Sequence, residues 1–228
     1  LPIQVRQEIP FLNQITPFKW ECMKLRTLFI SIMLASSAAK AELGPALPVY
    51  EEAQLIRLFE TNTHLKKVKA DECQLLQDIE ARAIRVELPA YQFLYGDMLA
   101  WGVCVDRDVE QGVFYMQLAA QQGLPAALEQ LGRYYSLGTL VQQDRERAIP
   151  YLREAASLGH MRARLQLAEL LVADYGSPLD YEDAYRWLYH TITADKSTHR
   201  KVAMLRQALE DKMPRNVIAR AKRRDTYW

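Results

Sequence analysis

The chain has 228 residues, with 29 basic against 28 acidic side chains and 50% hydrophobic and 10% aromatic residues. A sequence this apolar, with a net charge of +1, falls outside the disordered class and gives no general electrostatic case for nucleic acid or an anionic membrane as partner. At about 150 residues per domain it has length for one or two domains with a real core, and ordinary Gly and Pro content excludes collagen-like and low-complexity classes.

In chain order, residues 23–41 read as a cleaved secretory signal. Lys24 and Arg26 form a basic start, Leu28–Ala35 an apolar core, and Ala39-Lys40-Ala41 the small residues of a cleavage site between Ala41 and Glu42. The apolar core is too short for a membrane span, which needs roughly 20 residues. Glu42 stands where a lipoprotein requires cysteine. Leu1–Cys22, ahead of Met23, reads as an upstream extension outside the protein proper. Residues 1–41 hold five of the 29 basic and two of the 28 acidic groups, so residues 42–228 carry a formal charge of −2. Two of the three cysteines, Cys73 and Cys104, remain there. In an oxidising compartment they are a candidate disulfide, whose closed loop of about 32 residues stabilises by about 3–4 kcal/mol; two buried thiols are the alternative.

Residues 42–88 open with Pro45 and Pro48 and continue as two predicted helices, Tyr50–Thr61 and His64–Val86. Leu55, Ile56, Leu58 and Phe59, then Leu75, Leu76 and Ile79, recur at helical spacing. Such stripes pack on the neighbouring helices or bind a partner. Because they exceed what capping requires, the segment is assigned to partner binding. Glu51-Glu52 and Asp71-Glu72 read as solvated carboxylates on helix surfaces.

From Ala90 onward the sequence repeats every 36 residues. Residues 90–125 laid over 126–161 give identities at ten positions, where chance gives about two. Each has a role in a helix–loop–helix unit. Gly96 and Gly132, within a helical pattern, mark close helix packing; Gly102 and Gly138 end the first helix; Asp108 and Asp144 cap the second. Asp108 with Gln111 resembles a capping box. Ala119-Ala120 and Ala155-Ala156 give small faces, and Gly123 and Gly159 end the second helix. A third, weaker copy places Ala168, Asp180, Ala184 and Trp187 in register with Gly132, Asp144, Ala148 and Tyr151, while Asp174 and Asp195 replace the glycines of the Gly138 and Gly159 types. Pro150 predicts a kink or a late helix start. The three repeats span residues 89–196. Residues 197–228 are capping helices, predicted over Ser197–Lys212 and Pro214–Arg224 with Pro214 at the first helical position. They end in the basic run Arg215, Arg220, Lys222, Arg223 and Arg224, which is either a solvated helix end or a contact for phosphates.

No catalytic constellation is present: His64, His160, His190 and His199 are scattered, and there is no phosphate-binding loop, nucleophile elbow or Cys/His metal cluster. The expectation is a non-enzyme with no cofactor, no small-molecule substrate and no nucleic-acid partner.

Leu128, Leu131, Gly132 and Tyr135, then Gly138, Asp144, Ala148, Ala155-Ala156 and Gly159, resemble the Sel1-like repeat, over about Pro89–Ala194. The resemblance implies an all-α solenoid of helix-turn-helix repeats related to tetratricopeptide repeats, which binds other proteins. The whole stretch from Met23, including ELGPALPVYEEAQLIRLFE and the tail MPRNVIARAKRRDTYW, further resembles a Sel1-repeat family of the sodium-driven polar flagellar motor. That implies a periplasmic protein of the flagellar basal body near the outer membrane. It would form a multi-copy ring with a MotY-like ring protein and hold the stator through its B subunit for flagellar rotation. A generic periplasmic adaptor is the alternative. Sel1-like proteins linked to β-lactam binding carry a disulfide in each repeat, and Cys104 has no cysteine counterpart at Leu140 or Gly176.

Overall fold

A computed structural model describes residues 49–223. The signal, its cleavage site at Ala41 and Glu42, the extension before Met23 and the last residues of the basic tail lie outside the described residues. Between them the elements are α1 (Glu52–Glu60), α2 (His64–Ala70), α3 (Leu76–Ile84), α4 (Pro89–Trp101), α5 (Val109–Gln121), α6 (Pro125–Leu137), α7 (Arg145–Ser157), α8 (Met161–Val172), α9 (Tyr181–Tyr189), α10 (Lys196–Glu210) and α11 (Arg215–Ala221), with a 3-10 turn at Pro178–Asp180. The fold is an all-α repeat solenoid.

The repeat identities act through local backbone chemistry. Pro89 and Pro125 open α4 and α6, where a missing N–H leaves no bond unmade. Gly102 and Gly138 close these helices in the left-handed conformation, φ 65° and 74°. The Asp108 and Asp144 carboxylates then accept the N–H of Gln111 and Arg147, each at 2.9 Å, at the start of α5 and α7. The capping box at Asp108 is only half made: its own N–H, which the Gln111 side chain would accept in a full box, donates to the Leu99 carbonyl across the loop at 2.9 Å. Helix α7 does not start late. It begins at Arg145 and runs through Pro150, because the Asp144 cap fixes its first turn.

The left-handed positions extend the repeat beyond the identities. Asp174 follows Gly102 and Gly138 at φ 63°; Cys104, Leu140 and Gly176 share φ 64°, 63° and 80°; Glu87 precedes α4 at φ 60° as Gly123 and Gly159 precede α6 and α8. The turn from α3 into α4 therefore has the geometry of the repeat, although its sequence does not.

Helices pack in sequence, α4 on α5, α5 on α6, α6 on α7 and α7 on α8, with α10 on α8 and α9 and α11 on α9. At Gly96 and Gly112 the α4 and α5 backbones meet so closely that an added Cβ would sit 2.7 Å from the Gly112 oxygen, or 2.6 Å from the Gly96 oxygen. At Gly132 the intruder is instead the Leu152 side chain, 2.6 Å away. Ala119, Ala120, Ala155 and Ala156 are all buried at these contacts.

The predicted helix His64–Val86 divides into α2 and α3, because Glu72 and Cys73 adopt φ 52° and 61°. Asp71 is not a solvated carboxylate. It is buried, accepting from the Tyr50 hydroxyl and, at 2.7 Å, from Lys67. Burial raises its pKa, but the Lys67 and Tyr50 hydrogen bonds outweigh that and hold it below the ordinary value. Tyr50 in turn accepts the Tyr91 hydroxyl at its carbonyl, which ties the start of the described chain to α4. Cys73 and Cys104 stand in disulfide geometry, Cα atoms 5.6 Å apart, joining the α2–α3 turn to the α4–α5 loop. Cys104→Ser is expected to lower unfolding free energy by about 3–4 kcal/mol, read as the shift in urea midpoint between non-reduced wild type and variant.

At the other end Pro214 is the N-cap of α11, not its first helical residue. The basic run is partly spent on internal ion pairs. Arg220 binds Glu182, Nε to Oε1 at 2.7 Å, and Lys222 lies 2.9 Å from Glu210. The Arg220 hydrogen bond and the Lys222 hydrogen bond hold these carboxyls below their ordinary value of 4.5. Their stabilisation is therefore complete above that value and lost as pH falls through the lower folded values. Protection of the α11 amides, taken relative to the intrinsic exchange rate at each pH, is expected to fall on acidification below 4.5 while the α4–α7 amides keep theirs.

Candidate functional site

The first helices of successive pairs form one face of the solenoid, the inner face: α6 packs on α8 and α8 on α10, and α4 is joined to α6 by the Trp101–Tyr134 and Tyr134–Asp97 hydrogen bonds. Its two halves differ. Over α4 and α6 the face is occupied by the protein's own α1 and α2. Phe59 of α1 sets its ring edge-on to Phe93 of α4, centroids 4.7 Å apart, and to His64 at 5.1 Å. The Phe59 carbonyl accepts from Arg162 of α8 at 3.4 Å. The apolar stripe that had pointed to partner binding is thus largely covered: Leu55, Phe59 and Ile79 are fully buried, and Leu58, Leu75 and Leu76 pack partly buried against them. Only Ile56 of that set stays exposed.

Two buried polar clusters lie beneath this cover. Asp97, 1% exposed, accepts from His64 Nε2 at 2.6 Å and from the Tyr134 hydroxyl at 3.1 Å, with Gln130 Nε2 at 3.5 Å. Trp101 Nε1 donates to the same Tyr134 oxygen at 2.9 Å. Burial, with Asp97 beside it, pushes the Tyr134 phenol far up, so it serves as a neutral donor. One helix on, Glu129 is fully buried and accepts from Arg162 at 3.0 Å and Gln166 at 2.7 Å, with Arg133 at 3.8 Å. His64 and Asp97 form a pair of the kind that orients a catalytic base, but both are sealed under α1 and no nucleophile joins them. Their chemistry is that of a core polar network, bonded at Asp97 and His64 Nε2 while the buried His64 Nδ1 lacks a partner, and it fixes how α1 and α2 sit on the face. Among the described residues no cluster of His, Cys, Asp and Glu could hold a metal ion, and no helix is long and apolar enough to cross a membrane.

Over α6, α8 and α10 the inner face is open. A groove passes between Arg133, Ser136 and Leu137 on α6 and Gln166, Glu169 and Leu170 on α8, and continues along Lys201 and Met204 of α10. The repeat signature builds the frame and is absent from this groove. Gly96, Gly102, Asp108, Gly123, Gly132, Gly138, Asp144 and Gly159 sit in helix contacts, caps and turns, and the alanine pairs lie between layers. The groove residues fall at positions that differ between copies: Asp97, Arg133 and Glu169 share one register, Trp101 and Leu137 another. That contrast between constant frame and variable inner positions is the sequence signal that marks the face.

Comparison with known proteins bears on the whole chain. The Sel1 repeat matches residues 89–124 and 125–160. The sodium-type polar flagellar protein MotX of Vibrio parahaemolyticus serotype O3:K6 (strain RIMD 2210633) is 65% identical over 211 residues, covering 90% of this chain and 100% of that protein. Among solved structures, a Sel1 repeat protein from Oxalobacter formigenes is 24% identical with a TM-score of 0.45, over 68% of this chain and 56% of that one. The protective antigen c5321 of uropathogenic Escherichia coli, which displays an SLR fold, is 20% identical with a TM-score of 0.41, over 75% of this chain and 44% of that one.

Proposed function

We propose a role in the rotation of a sodium-driven polar flagellum for this chain, which belongs to the family of the sodium-type polar flagellar protein MotX. In this reading it is a periplasmic, non-catalytic component of the basal body. With a MotY-like ring protein it forms a multi-copy ring near the outer membrane that holds the stator, through its B subunit, around the rotor. Residues 23–41 are its secretory signal, and the third helical pair with α10 and α11 caps the repeat stack.

The single observation that carries the reading is the identity to MotX along its full length. Physical features support it. A stator anchor must transmit torque without sliding, which requires a stiff body with a broad contact face. Close backbone contact at Gly96 and Gly112, two buried polar networks and a disulfide-linked pair of loops make such a body. Many weak contacts around a ring add through effective concentration. A disulfide also suits an oxidising compartment.

The test is deletion of the gene, scored by electron microscopy for filaments and by tracking for swimming. Cells that keep filaments but do not turn them are the expected result. Loss of filaments would place the protein in assembly instead, and normal swimming would leave only a secreted helical-repeat adaptor.

A further inference from the structure

The open half of the inner face carries a charge pattern that helix stability does not account for. The first turn of α10 holds Lys196 and His199 and no acidic residue, with Arg200 directly after. Cations at the positive end of a helix dipole are unfavourable. Asp195 offsets this only locally. It caps α10, accepting from the Thr198 N–H at 2.7 Å and the Ser197 hydroxyl at 2.6 Å, bonds that hold its pKa at about 2. Lys196 and Arg200 are exposed and make no ion pair among the described residues. The acid lining the adjoining groove, Glu169, is already engaged by Lys201 at 2.6 Å.

Beside these cations the groove carries exposed apolar side chains: Leu137 is 63% exposed and Met204 67%. The two surfaces are continuous, because Arg200 lines both the groove along α8 and α10 and the hollow against Thr193 and Ala194. One helix pair earlier, the corresponding part of the face is filled by α1, with Phe59 as its apolar anchor and its carbonyl on Arg162. The face thus shows in its own closed half what an occupant looks like: a single segment that sets apolar side chains between helices and offers oxygen acceptors to a cation.

We propose that the groove over α6, α8 and α10 docks an acidic segment of a partner protein, with apolar side chains on Leu137 and Met204 and carboxylates on Lys196 and Arg200. The inference rests on the motor reading, since it locates the surface by which the chain is held to its motor partner. A protein segment fits better than an anionic lipid surface, because the neighbouring half of the same face already seats a protein segment, α1.

The experiment uses the full chain, expressed from a plasmid in the gene-deletion strain. A photo-crosslinking amino acid replaces Met204, and in a parallel control it replaces Phe114, which is exposed on α5. The expected result is an adduct at position 204, absent at 114, whose crosslinked partner peptide is rich in Asp and Glu. The double variant Lys196→Glu, Arg200→Glu should lower its yield at least about tenfold, because like charges then face each other. Both side chains are exposed, and Glu at position 196, in the first turn of α10, suits the dipole, so this variant keeps its fold. Purified variant is checked by thermal melting. Met204→Asp, which places a carboxylate on the groove floor, should also abolish swimming. No adduct at 204, an adduct unaffected by the double variant, a partner peptide without acidic residues, or an adduct to a second copy of this chain overturns the proposal. If the wild-type gene restores swimming and both variants swim equally well, the groove assignment falls while the motor reading stands. If the deletion strain itself swims, the motor reading falls, and the adduct at 204 still decides the groove.

Discussion

Asp97→Ala is expected to lower unfolding free energy by about 3–5 kcal/mol, the range for breaking a buried, hydrogen-bonded ionisable pair. The carboxylate is 1% exposed and is the shared acceptor of His64 and Tyr134, with Gln130 beside it. Removing it strands donors from α2 and α6 where water does not reach, and opens a void between them. Asp97→Asn should be milder, since an amide oxygen still accepts from Tyr134. The double variant His64→Ala, Asp97→Ala should be less destabilised than the sum of its parts, because each loss removes the other's stranded partner. Urea unfolding of the four proteins gives the coupling directly. An additive cycle would mean that α2 is held on α4 by apolar packing alone.

This cluster also marks where the sequence stopped being informative. The repeats were legible because glycine, proline and aspartate at caps and turns act through their own backbone chemistry, and their 36-residue recurrence needs no tertiary knowledge. The all-α solenoid followed from that. The same turn geometry stayed hidden at Glu87, φ 60°, where no register pointed to it, whereas the register of the third copy did mark Asp174, which adopts it at φ 63° without being glycine. The break between α2 and α3 was hidden likewise, since neither glycine nor proline stands at Glu72–Cys73. Asp97, Glu129 and Gln130 are buried polar residues that the repeat pattern does not single out, and their partners lie about 33 residues away on other helices. Only the stacking of the repeats brings them together. The apolar stripe of residues 55–59 was read correctly as apolar, but periodicity does not say whether the surface it covers belongs to the same chain. Its destination on the inner face is set by residues distant in sequence: Phe93 against the Phe59 ring, and Arg162, one hundred and three residues on, at the Phe59 carbonyl.

That destination gives the second large effect. Phe59→Ala is expected to destabilise by about 3–5 kcal/mol, in the range for truncating a fully buried phenylalanine. The ring is 1% exposed, wedged against Phe93 and His64 under the Arg162 contact. Truncation empties the seat of α1, so the loss should be larger than that of Ile56→Ala, whose side chain is 41% exposed on the same helix. Hydrogen exchange should separate local from global failure. If α1 is a docked cover, its amides and those of α2 lose protection first, while α6 and α7 keep theirs. If α1 is integral to the cooperative unit, all four lose protection together. The distinction matters for the inner face as a whole. A cover that lifts independently makes α4 and α6 a second surface available to a partner, contiguous with the open groove. A cover that does not lift confines docking to α6, α8 and α10 and leaves residues 52–60 a structural part of the solenoid.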